Sequence, residues 1–162
     1  MEFVVRAVLM GMAATALIDI WALGLRRIFG VASLDYALVG RWLGHMPARF
    51  FHAGIAAAPR IRGERLVGWG AHYAIGVLFA AMLLGACGID WARRPSPGPA
   101  LAFGILTVAA PFLVMQPGMG FGIAASKTPK PGIARLRSLA THATFGLGLY
   151  ASALVLARLM PH

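Results

Sequence analysis

Four polar side chains stand where hydrocarbon is expected, one in each of four apolar stretches: Asp19, His72, Gln116 and His142. A carboxylate, two imidazoles and an amide can bind and release protons or hold a small polar solute. With a soft donor such as Met115 nearby, Asp19, His72 and His142 could also complete a transition-metal sphere, or the two imidazoles could hold haem between helices. The structural alternative is that the groups satisfy one another, with Asp19 accepting from His72 or His142. An ionisable group inside hydrocarbon is costly unless it is paired or faces a wet cavity, which makes these four the first candidates for function.

The elements that carry them follow from composition. The chain is 59% hydrophobic and only 12% charged, with a mean hydropathy of +0.75. A water-soluble core cannot hide that much apolar surface in 162 residues, whereas a bilayer takes about 20 apolar residues per helical crossing. Four stretches qualify, at residues 3–25, 66–88, 99–121 and 139–157. The expected fold is therefore all-α, a four-transmembrane-helix bundle forming a single integral membrane domain over residues 1–162. A signal peptide fits the first stretch poorly, because Glu2 spoils a basic leader and Asp19 lies beside the apolar run.

Basic residues set the expected orientation, since short loops rich in Lys and Arg stay cytoplasmic. The connection at 26–65 holds Arg26, Arg27, Arg41, Arg49, Arg60, Arg62 and Arg65, and the one at 122–138 holds Lys127, Lys130, Arg135 and Arg137. The 89–98 connection holds only Arg93 and Arg94, so it and both termini are expected outside. The net charge of +10 is thus read as topology, with attraction to anionic lipid headgroups as its consequence and nucleic acid excluded as a partner. Cys87 is the only cysteine, which rules out an intramolecular disulfide.

In this orientation Asp19 and His72 each lie roughly 9 Å inside the cytoplasmic boundary at a rise of 1.5 Å per residue, with Gln116 and His142 at comparable depth. Gly11, Thr15 and Asp19 form one helical stripe, Gly68, His72, Gly76 and Ala80 a second, and His142, Gly146 and Tyr150 a third. Small residues on such stripes let helices approach closely, so the histidines are expected to face neighbouring helices. Spans two and four share the pattern His-x-x-x-Gly at His72 to Gly76 and His142 to Gly146.

Two further segments bear on function. Pro117 and Gly118 interrupt the third stretch, and Pro117 removes the amide that would bond the Leu113 carbonyl, marking a kink or hinge. The connection at 26–65 is too apolar for a linker. Ser33 is placed to cap an amphipathic, interfacial helix, "SLDYALVGRWLGH", and "RFFHAGIAAAP" reads as a second helical piece ending at Pro59. His45, Met46 and His52 fall in this region.

The blocks "GRWLGHMP", "RFFHAGIAAAP", "GERLVGWGAHYAIG", "TVAAPFLVMQPGMGFGIAASKTP" and "RLRSLATHATFGLGLY" occur in order along nearly the whole chain. In them the sequence resembles the bacterial integral membrane proteins of domain-of-unknown-function family 2938. The resemblance implies a small multi-pass bacterial membrane protein and lends no activity, substrate or site. No Walker loop, nucleophile elbow, zincin or haem-attachment motif occurs, and "GMGFG" closes an apolar helix instead of following a soluble strand. The expectation is an inner-membrane protein for small-solute or proton passage, with a haem- or metal-binding redox protein and a membrane scaffold as alternatives and enzymatic activity left open. A homo-oligomer is compatible with all three.

Overall fold

The computed structural model describes residues 1–31 and 33–160, and among them every regular element is helical, with no strand. Helix α1 spans Glu2–Phe29, α2 Tyr36–His45, α3 Glu64–Cys87, α4 Ile89–Arg93, α5 Pro97–Leu106, α6 Gln116–Met119 and α7 Pro131–Leu159. Four helical stretches are long and apolar enough to cross a membrane: α1, α3, the run Pro97–Met119 and α7. Their exposed surfaces carry large apolar side chains, among them Val4, Ile20, Leu66, Leu78, Leu106 and Leu147, as lipid-facing surfaces do.

The chain forms two compact units, one of residues 1–33, 73–107 and 140–162 and the other of 34–72 and 108–139. The first is built on small-residue packing. Ala7, Met10, Ala14 and Ile18 recur at helical spacing on α1 and are buried with Ala80, Leu83 and Leu84 of α3 and Phe145, Leu149 and Ala153 of α7. A Cβ on Gly11 would overlap the α3 backbone at Val77 and lie 2.7 Å from the Gly76 carbonyl. One on Gly104 of α5 would lie 2.6 Å from Gly146 Cα on α7, and one on Gly148 2.7 Å from Ala14 Cα on α1. In this unit Gly11, Gly76 and Gly146 of the stripes read from the sequence lie at helix contacts, and the glycine of each His-x-x-x-Gly pattern sits where two backbones nearly touch.

In the second unit, Ser33 does not cap α2. The helix begins two residues later than expected, with the Asp35 side chain accepting from the Ala37 amide at 2.9 Å. A carboxylate satisfies an orphan amide and also meets the positive end of the helix dipole, which favours it over the serine hydroxyl. The second expected helix is reduced to a single 3-10 turn at Ile55–Ala57. Extended Gly54 precedes the turn, and the His52 amide bonds the Gly118 carbonyl at 2.9 Å, outside any helical ladder. Val39 and Trp42 of α2 bury against Ile55 and Met119.

The third span is an α-helix for only part of its length. Pro111 and Pro117 each lack an amide donor, and between them the backbone widens into a π-turn at Pro111–Met115, where the Gln116 amide bonds the Pro111 carbonyl five residues back. Beyond it Gly120 (φ 94°) ends α6, and the chain passes through two left-handed alanines, Ala124 (φ 47°) and Ala125 (φ 59°).

Candidate functional site: polar residues of the span-length helices

Asp19 and His142 belong to the first unit, and each has a hydroxyl partner there. The Tyr73 hydroxyl of α3 donates to Asp19 Oδ2 on α1 at 2.8 Å. His142 Nδ1 on α7 lies 2.7 Å from Thr107 Oγ1, just beyond α5, and that hydroxyl is 2.6 Å from the Gly104 carbonyl. A carbonyl only accepts, so the single hydroxyl proton of Thr107 goes to Gly104 and His142 donates its Nδ1 proton to Thr107. The neutral imidazole then carries its lone pair on Nε2. His142 is thus held by Thr107 through Nδ1.

His72 and Gln116 belong to the second unit. His72 Nε2 lies 3.0 Å from the Tyr36 hydroxyl of α2. Its ring also packs on that of Tyr36, with centroids 4.3 Å apart, and Trp69 completes the aromatic cluster 4.5 Å from Tyr36. Gln116 Nε2 reaches Ser138 Oγ of α7 at 3.5 Å, while its Oε1 is buried without a hydrogen-bond partner. Pro117 adjoins the π-turn. A Cβ on Gly118 would lie 2.6 Å from the Trp42 indole nitrogen, so the helix packs closely on that side chain.

None of these hydroxyl partners was marked by the sequence reading. Tyr73 adjoins His72 in the chain, yet its contact is to Asp19, on another helix. Among the described residues, no group of three or more His, Cys, Asp or Glu side chains is disposed to hold a metal ion.

Arg41 and Arg93, read from the sequence as topology signals, are held in ion pairs, and so is Arg6 of α1. Arg41 is buried and bonds Glu64 through both Nε and Nη2, each at 2.8 Å, while its Nη1 donates to the Ala56 and Ala58 carbonyls at 3.0 and 3.3 Å. Hydrogen bonding to Glu64 raises the Arg41 guanidinium above its ordinary range, so it stays charged. Arg6 is fully buried and joins Glu2 at 2.9 Å to the Met160 carbonyl at 2.9 Å. Arg93 also pairs with Glu2, at 2.7 Å, and that hydrogen bond raises its guanidinium in the same way.

Four span-length apolar helices, lipid-like outward faces and polar groups paired between helices are consistent with a multi-pass membrane protein. The chain belongs to the family described as protein of unknown function DUF2938, whose family model matches residues 8–156. No curated protein and no solved structure matches it.

Proposed function

We propose that this protein passes protons or a small polar solute across a bacterial inner membrane, using Asp19, His72, Gln116 and His142. The supporting observation is that both span histidines meet a hydroxyl, His142 with Thr107 at 2.7 Å and His72 with Tyr36 at 3.0 Å. Imidazole changes charge near neutral pH and a hydroxyl both donates and accepts, so such a pair can take a proton on one side and release it on the other. The π-turn ahead of Gln116 supports the same reading, since such turns recur at functional positions in helices. The excess of basic residues in the two longer connections supports both termini lying outside the cytoplasm.

The test is pH-dependent flux in proteoliposomes reporting internal pH. His72→Ala and His142→Ala should each abolish it. Flux unchanged in both variants would overturn the proposal and leave a scaffold whose polar groups only satisfy one another.

A further inference from the structure

Outside the four span-length helices, the segment from the end of α2 to Pro59 encloses a half-open cleft of about 430 Å³. It is lined by two histidines, His45 and His52, by Arg49, and by the backbone-rich stretch from Ala53 to Pro59. We infer that His45 and His52 form a two-imidazole site for a late transition-metal ion of the zinc class.

The tautomers carry the argument. His45 Nε2 lies 2.9 Å from the Pro59 carbonyl and His52 Nε2 3.0 Å from the Arg49 carbonyl. Carbonyl oxygens only accept, so both rings carry their proton on Nε2, and each neutral ring presents a lone pair at Nδ1. An imidazole whose far N–H is anchored on a backbone carbonyl is the arrangement that metal-ligating histidines use to fix tautomer and ring direction. A lone histidine turned this way means little. Two of them lining one cleft, both anchored, make a donor pair.

The spacing agrees. With a metal–nitrogen bond of about 2.0–2.1 Å, each ring centroid lies about 3 Å from a shared ion, so two such rings stand roughly 5–6 Å apart for ligand angles between tetrahedral and linear. The centroids of His45 and His52 are 5.8 Å apart, with ring planes at 62°. Two protein donors leave the remaining positions to water or small anions, which makes for an open, exchangeable site. Arg49, exposed and tied by its Nε to the Phe51 carbonyl at 3.0 Å, opposes a bare cation and suits one carrying an anion.

The cleft involves none of the residues assigned to passage, so its occupation is measured separately. Isothermal titration of Zn²⁺ into the detergent-solubilised full chain, with Co²⁺ absorption as the spectroscopic counterpart, should show one ion per chain. His45→Gln and His52→Gln keep a side-chain amide able to reach the carbonyl but lose the imidazole donor. Each should weaken binding about tenfold or more while the thermal melt of the apoprotein stays in place. His72→Ala and His142→Ala should bind as the parent does. No binding by the parent, or binding retained in the doubly substituted His45→Gln/His52→Gln chain, would overturn the inference. So would inorganic phosphate binding at this cleft in the absence of zinc, which would make it an anion site built on Arg49.

Discussion

Arg41 and Glu64 face each other in a two-pronged ion pair, with both N···O distances at 2.8 Å and side chains only 6% and 14% exposed. The pair ties the middle of α2 to the first residue of α3, and Arg41 closes the connection from the other side through the Ala56 and Ala58 carbonyls. Removing one partner of a shielded pair leaves the other charge without compensation. Arg41→Met and Glu64→Gln should therefore lower the thermal midpoint of the detergent-solubilised chain more than Arg27→Gln does. The exchanged pair Arg41→Glu with Glu64→Arg should recover part of that loss. Equal midpoints for all of these variants would show that the pair is not structural.

The same two helices touch at glycines. A Cβ on Gly40 would overlap the Glu64 carbonyl, and one on Gly68 would overlap the Tyr36 carbonyl. Both obstacles are backbone, so neither can swing aside. Gly40→Ala and Gly68→Ala should each cost about 1–3 kcal/mol. Gly70→Ala, on the same helix with nothing within 4 Å of its Cβ, should instead raise stability by about 0.5–1 kcal/mol through helix propensity. Denaturation of the three variants side by side checks the contrast.

Ala124 holds a left-handed conformation that glycine adopts freely, kept there by Arg135 Nε donating to its carbonyl at 2.8 Å. The Cβ penalty in this region is about 1–2 kcal/mol. Ala124→Gly should recover about 1 kcal/mol after the entropy that glycine adds to the unfolded chain. A melt that falls would mean that the alanine methyl contributes more by packing than the backbone loses by strain.

Thr107→Val removes the hydroxyl between His142 and the Gly104 carbonyl while keeping the shape. The half-buried imidazole N–H then lacks its acceptor, at a cost of about 1–2 kcal/mol. Tyr73→Phe removes the hydroxyl that donates to Asp19 in the first unit. If the hydroxyl pairs relay protons, Thr107→Val should also reduce pH-dependent flux, and so should Tyr73→Phe, because Asp19 belongs to the same proposed passage. Thr107→Val flux at the parent level would confine that hydroxyl to a packing role.

Thr15 offers the opposite sign. Its hydroxyl oxygen is buried and has no hydrogen-bond partner among the described residues, pressed against Gly76. Thr15→Val exchanges an unsatisfied polar atom for a methyl of similar size. It should leave stability unchanged or raise it by about 1 kcal/mol in the same melt.

The helical class and the span-length stretches were legible from the chain alone, because a run of about 20 apolar residues meets the bilayer thickness whatever its neighbours are. The stripe Gly11, Thr15, Asp19 was legible for a similar reason, since 3.6 residues per turn places those positions on one face. The partners were not. That Asp19 takes its proton donor from Tyr73, that His142 rests on Thr107, and that Arg41 reaches Glu64 depends on how each helix is rotated against the next. That rotation is set by close backbone contacts such as Gly40 on Glu64 and Gly104 on Gly146, which join residues far apart in sequence. Local competition also escaped the sequence: Asp35 outbid Ser33 for the α2 cap, and Gly118 drew the His52 amide away from a second helix. Periodicity specifies which face of a helix is small or polar. Only tertiary packing decides what that face meets, because each contact is a free-energy balance between two surfaces.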